Sequence, residues 1–84
     1  MYAVYLERGV QKDLDNLPRD RFDQILSEIK LLADNPRPVG CRKIMGSKSD
    51  WRIRIGDYRV IYEIDNKSKV VRVMRVKHRR EVYR

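Results

Sequence analysis

Eighty-four residues make one domain, because two would each be too short to bury a core. A hydrophobic content of 42% suits a globular domain, while 38% charged residues and a net charge of +8 describe a strongly ionic surface. No apolar run approaches the roughly 20 residues of a membrane span, and the single cysteine, Cys41, excludes an internal disulfide and fits a reducing compartment. The segment Tyr2-Ala3-Val4-Tyr5-Leu6 has neither a basic n-region nor a long apolar h-region, so the chain is expected to be cytoplasmic. That same segment is aromatic and β-branched enough for a short strand, which Gly9 breaks.

Val10, Leu14 and Leu17 are spaced for one face of a short helix ending at Pro18, which also suits the first turn of the next helix. There, Phe22, Ile25, Leu26, Ile29, Leu32 and Ala33 follow the i, i+3, i+4, i+7 pattern, with Asp20, Asp23, Glu28 and Lys30 on the other side. Asn35-Pro36-Arg37-Pro38 stops it, since residues before proline avoid the helical region. After Gly40 the apolar period changes to two. Ile44 falls in a short strand ended by Gly46-Ser47-Lys48-Ser49, and Trp51 to Ile55 alternates strictly. Gly56-Asp57 is a two-residue turn of the type II′ kind. Tyr58 to Ile64 returns, Asp65-Asn66-Lys67-Ser68 turns again, and Val70 to Val76 is the last strand. The predicted fold is α+β in the order β-α-α-β-β-β-β, an antiparallel sheet with a helical hairpin on one face.

Charge is segregated along the chain. Residues 1 to 41 carry 6 Lys/Arg against 7 Asp/Glu, a charge of −1; residues 42 to 84 carry 14 against 5, a charge of +9. A basic surface confined to half of a small domain is the footprint of a polyanion partner, most simply nucleic acid. A two-residue loop at Gly56-Asp57 pairs Ile55 with Tyr58, which sets Arg54 opposite Arg59, Ile53 opposite Val60 and Arg52 opposite Ile61. Trp51, Ile53, Ile55, Tyr58, Val60, Tyr62 and Ile64 then share the face that helices can cover. Arg52, Arg54 and Arg59 share the other. Guanidinium groups directly across a ladder repel, so folding gains nothing from the arrangement unless an anion sits between them; phosphate fits, and arginine binds it bidentately. The plainer alternative is three arginines splayed into water.

One cysteine and one histidine cannot build a usual zinc site, and the acidic residues of the basic half (Asp50, Asp57, Glu63, Asp65, Glu81) show no clustering for two metals. No phosphate-cradling glycine loop or nucleophile elbow is present. A nuclease built on this chain is expected to work without metal or cofactor and to lean on arginine. RNA carries its own nucleophile in the 2′-hydroxyl, so a clamp that stabilises the charged transition state would suffice. The tail His78-Arg79-Arg80-Glu81-Val82-Tyr83-Arg84 adds His78, able to transfer a proton near neutral pH, and Tyr83, able to stack on a base. Each could equally be a residue of no special role.

The span Trp51-Arg52-Ile53-Arg54-Ile55-Gly56-Asp57-Tyr58-Arg59-Val60-Ile61-Tyr62, followed by HRREVYR from His78, resembles the RelE branch of the RelE/ParE toxin superfamily. Lys12-Asp13-Leu14, Leu17-Pro18 and Asn35-Pro36-Arg37-Pro38-Val39-Gly40 are similar to that family's helical hairpin and its exit, so the resemblance covers nearly the whole chain. It implies a toxin of a type II toxin–antitoxin pair that cleaves mRNA in the ribosomal A site by 2′-hydroxyl attack, leaving a 2′,3′-cyclic phosphate and a 5′-hydroxyl. Its implied partners are the ribosome, mRNA and a cognate antitoxin. The family's basic pair before the hairpin turn falls on Arg52 and Arg54, its returning arginine on Arg59, its tail arginine on Arg79 and its tail tyrosine on Tyr83. Better-known members carry lysines at the positions of Arg52 and Arg54, and arginine scarcely deprotonates, so His78 is the candidate base or acid. Lys43, Lys48, Arg75, Lys77, Arg80 and Arg84 are the expected further RNA contacts. Two other readings remain open: a ParE-like gyrase poison without nuclease chemistry, and a non-catalytic nucleic-acid-binding module.

Overall fold

The computed structural model describes residues 1–82. In chain order it runs β1 (Ala3–Leu6), α1 (Arg8–Asp15), α2 (Arg19–Leu31), β2 (Arg42–Lys43), β3 (Asp50–Ile55), β4 (Tyr58–Asp65), β5 (Val70–His78) and a short helix α3 (Arg79–Val82). This is the α+β order read from the sequence, with α3 as an addition. Pro18 precedes α2 and its carbonyl accepts the Phe22 N–H at 2.8 Å, so the proline opens the helix as its fixed φ allows. Among the described residues, no helix is long and apolar enough to cross a membrane.

The five strands form one sheet in the order β1-β5-β4-β3-β2. Strands β2 to β5 pair antiparallel, but β1 lies parallel to β5, with Ala3 opposite Val70 and Leu6 opposite Val73. The sheet is therefore mixed rather than wholly antiparallel. Tight turns force β3–β5 to alternate in direction, whereas β1 connects onward through two helices, and such a crossover leaves it free to join the far edge in parallel.

The core lies between the helical hairpin and one sheet face. Val10 and Leu14 of α1 and Ile25 and Ile29 of α2, with Leu32, pack on Ile53, Ile55, Val60, Tyr62, Ile64, Val71, Val73 and Val76. All are buried. Trp51 and Tyr58 pack against this cluster from its margin, as the alternation of β3 and β4 requires. Tyr62 is fully buried, and its hydroxyl donates to the Pro36 carbonyl at 2.7 Å, fastening the exit of α2 to the centre of the sheet.

One irregularity decides which residues of β5 face outward. Ile61 lies opposite Arg75 but Tyr62 opposite Val73, so the β4–β5 register shifts there and leaves Met74 as the extra residue of a β-bulge. With Val71 and Val73 facing the core, unbroken alternation would have turned Val76 to solvent. The bulge returns Val76 to the core and sends Lys77 to the open face.

Candidate nucleic-acid interface

The open face is organised by the Gly56-Asp57 turn. Gly56 has φ of 60° while Asp57 is not in the positive region, as a type II′ turn needs. The resulting pairs are Ile55–Tyr58, Arg54–Arg59, Ile53–Val60 and Arg52–Ile61, which is the register read from the sequence. Continuing across the sheet, Arg59 lies opposite Lys77 and Arg52 opposite Arg42. A row of three cations, Arg54–Arg59–Lys77, thus crosses three adjacent strands, beside the pair Arg42–Arg52.

These cations lack counter-charges. Elsewhere carboxylates meet arginines: Glu63 pairs with Arg72 at 3.1 Å, Asp13 with Arg75 at 2.9 Å and Asp23 with Arg19 at 3.7 Å. Among the described residues, none of Arg42, Arg52, Arg54 and Arg59 forms an ion pair. Arg59 is only 6% exposed, and its guanidinium reaches the Tyr58 carbonyl at 3.4 Å. Arg54 Nε donates to the Gly56 carbonyl at 3.2 Å, which holds it against the turn. Like charges directly opposite each other cost a sheet about 0.2–1 kcal/mol per pair, and a buried charge without a partner costs more. The arrangement costs folding free energy, which a bound anion would offset.

A pocket of about 260 Å³ lies among Gly40, Arg42, Arg52, Arg54 and Arg59. Gly40 enters it because Pro38 to Cys41 closes a turn, the Cys41 N–H donating to the Pro38 carbonyl at 3.0 Å, with Gly40 at φ of 92°. Four guanidinium groups on a concave surface offer the charge and the forked donors that a phosphate-sized anion accepts.

The remaining expected residues divide. Lys43 is exposed on β2 opposite Trp51, Lys48 is exposed in the loop between β2 and β3, neither lines this pocket, and Lys77 closes the cationic row. Arg79 sits at the same turn as Arg54, its N–H donating to the Asp57 carbonyl at 2.7 Å and its Nε 4.0 Å from the Asp57 carboxylate. Arg80 is exposed on α3. Arg75 is already engaged by Asp13, through two hydrogen bonds of 2.9 and 3.0 Å. Tyr83 and Arg84 lie outside the described residues.

His78 is separated from the cluster. It pairs with Tyr58, whose side chain shares the helix-bearing face, and the two rings meet edge-on with centroids 5.3 Å apart. Its Nδ1 accepts the Arg80 N–H at 3.3 Å, and its surroundings include Lys12, Asn16 and Leu17 of the helical hairpin. The β-bulge sets this parity, and it could not be read from the alternation of the strand.

Arg42 and Gly40 belong to the pocket and were not among the expected residues. The loop between β2 and β3 is too long to fix a register by its length, so the placement of Arg42 opposite Arg52 was hidden. Among the described residues, no three His, Cys, Asp or Glu side chains are grouped as a metal would require.

The whole chain has recognisable relatives. Residues 4–83 match the family model described as ParE toxin of a type II toxin–antitoxin system. The fold is similar to that of the archaeal RelE–RelB complex from Pyrococcus horikoshii OT3, with 32% identity, a TM-score of 0.83, and coverage of 93% of this chain and 94% of that one. It is also similar to the toxin–antitoxin complex RelBE2 from Mycobacterium tuberculosis (24% identity, TM-score 0.81, 92% of this chain and 96% of that one). The isolated E. coli RelE toxin shares the fold at 23% identity, with a TM-score of 0.80 over 99% of this chain and 92% of that one.

Proposed function

As this chain belongs to the RelE/ParE family of toxins from type II toxin–antitoxin systems, we propose that it is a metal-independent endoribonuclease that inhibits translation by cutting mRNA in the ribosomal A site. The observation that carries the reading is the uncompensated cluster of Arg42, Arg52, Arg54 and Arg59, with Arg59 buried and Lys77 next in its row.

In this reading, Arg52, Arg54 and Arg59 grip the scissile phosphate. The 2′-hydroxyl of the same nucleotide attacks phosphorus in line, the bond to the 5′-oxygen of the next nucleotide breaks, and a 2′,3′-cyclic phosphate and a 5′-hydroxyl result. Charge on the phosphoryl oxygens grows through the transition state, and fixed guanidinium donors favour that state over the ground state. Arg79, tethered at the turn beside Arg54, adds to this stabilisation, and Tyr83 orients the cleaved nucleotide by stacking. The clamp supplies positioning and electrostatics. Proton transfer by His78 would require its ring to leave Tyr58 and pass to the other side of the sheet. The toxin acts in the cytoplasm, and its cognate antitoxin presents an acidic or amphipathic segment that wraps the domain and covers or displaces the tail; two of the three solved relatives named above, RelE–RelB and the toxin–antitoxin complex RelBE2, are complexes.

The test is cell-free translation with purified protein, mapping mRNA ends by primer extension with and without ribosomes. Ribosome-dependent cuts with cyclic-phosphate ends support the reading. Intact message contradicts it. The description of the matching family model favours one second reading, a ParE-like gyrase inhibitor without nuclease activity, and loss of gyrase supercoiling with intact message would establish that instead.

A further inference from the structure

A second pocket, of about 460 Å³, adjoins the arginine pocket and shares Arg52 and Arg59 with it; its other walls are Lys43, Ile44, Met45 and Ile61. The volume falls within the roughly 300–1,000 Å³ of ligand clefts. Its apolar side chains have no explanation in the fold. Ile61 stands opposite both Arg52 and Arg75 on the open face, and it is half-buried rather than part of the core. Met45 is 98% exposed.

The loop holds Met45 there. Ser47 N–H donates to the Ile44 carbonyl at 3.2 Å, Ile44 N–H to the Asp50 carbonyl at 2.9 Å, and Asp50 N–H to Ser47 Oγ at 3.1 Å. Gly46, at φ of 86°, occupies the third position of the Ile44–Ser47 turn, where a type II turn needs a positive φ. Met45 takes the second position and projects from the turn. Three hydrogen bonds therefore display an unbranched, polarisable thioether at the rim of a pocket whose other rim is guanidinium.

We propose that this second pocket is a nucleobase subsite, holding the base of a nucleotide whose phosphate occupies the arginine pocket. The inference rests on the phosphate reading of that pocket. A flat aromatic ring in this pocket meets the Met45, Ile61 and Arg52 side chains that line it, and sulfur and guanidinium both pack well on π-faces. Stacking of this kind discriminates little among bases. Lys43 at the margin is placed for the next phosphate.

The probe is a 2′-O-methyl adenosine trinucleotide, which cannot be cut because its nucleophile is blocked. Its control is the same phosphodiester backbone with tetrahydrofuran spacers in place of the bases. The full chain, labelled at its methionine methyls, is titrated with each, and the Met45→Ala variant assigns the Met45 resonance. The intact trinucleotide should bind about tenfold more tightly than the spacer. It should also move the Met45 methyl upfield by ring current, while the spacer leaves it in place. Met45→Ala, at a fully exposed position, should keep its fold and its affinity for the spacer while the tenfold preference shrinks to threefold or less. If the intact trinucleotide binds but leaves the Met45 methyl unmoved, the subsite is refuted while the phosphate clamp stands, provided Arg59→Met abolishes binding of both probes. If Arg59→Met binds both as the parent does, or neither probe binds the parent, the phosphate reading fails and the subsite fails with it.

Discussion

Arg59 shows best how a single residue can oppose the fold that contains it. It is 6% exposed, faces Arg54 on one side and Lys77 on the other, and has no carboxylate within ion-pair distance among the described residues. Replacing a buried charge by a well-packed apolar side chain of similar volume is often neutral or stabilising. Arg59→Met should therefore melt no lower than the parent, and several degrees higher where the lost repulsion is about 1 kcal/mol, while cleavage falls by about 100-fold or more. A thermal melt and a cleavage assay on the same preparation check both. His78→Ala should keep cleavage within about threefold, because the ring packs on Tyr58 away from the clamp; a loss of about 100-fold in the same assay would contradict this. Tyr62 is a purely structural counterpart. Burial pushes its hydroxyl well above the ordinary tyrosine value, and its hydrogen bond to Pro36 is 2.7 Å. Tyr62→Phe leaves a buried carbonyl unpartnered and should cost about 1–2 kcal/mol by denaturant titration. The arginine register was legible because Gly56-Asp57 admits one loop length. The burial of Arg59 was not, because it depends on how strands distant in sequence come together.

At the scale of elements, α1 is fastened to the free part of β5 by one carboxylate. Beyond Val73 that strand has no neighbour in β1, and the Asp13 side chain takes the place of a strand, accepting the Val76 N–H at 2.8 Å and the Arg75 guanidinium at 2.9 and 3.0 Å. Burial alone would raise the Asp13 pKa, but these hydrogen bonds and the charges of Arg75 and Lys77 outweigh it and lower the pKa. A carboxylate depressed in the folded state contributes stability that is full above its unfolded value of 3.8 and is lost as pH falls through the folded pKa. Asp13→Asn should thus be less stable than the parent at pH 7, by about 1–3 kcal/mol, and the gap should close as the parent's carboxylate protonates below pH 3.8. Denaturant curves across that range follow it. Both helices of the hairpin and strands β3, β4 and β5 were readable from apolar periods; β2 covers Arg42–Lys43 and leaves out Ile44, on which the short strand was expected. The parallel placement of β1 and the bulge at Met74 were not, since neither leaves a mark in local alternation, and the bulge is what turns His78 to the helix-bearing side of the sheet.

Over the whole molecule, residues 42 to 84 carry a charge of +9, and the sheet register brings five of their cations, Arg42, Arg52, Arg54, Arg59 and Lys77, together on the open face. Glu63 and Asp13 neutralise Arg72 and Arg75, while among the described residues none of Arg42, Arg52, Arg54 and Arg59 has an ion-pair partner. Affinity for single-stranded RNA should fall with salt with a log–log slope of about −2 to −3, as three or four phosphate contacts require, and Arg54→Gln should reduce that slope by about 0.7. Filter binding across a salt series reads it. The charge segregation and three of the four pocket arginines were visible in the sequence, whereas Arg42 needed the tertiary pairing of β2 with β3. The most direct test of the central claim is primer-extension mapping of an mRNA on translating ribosomes, comparing the parent with Arg59→Met at equal, verified fold. The account predicts discrete cuts within codons for the parent and an intact message for the variant. Equal cutting by both proteins would contradict it, because the catalytic site would then lie away from the arginine face.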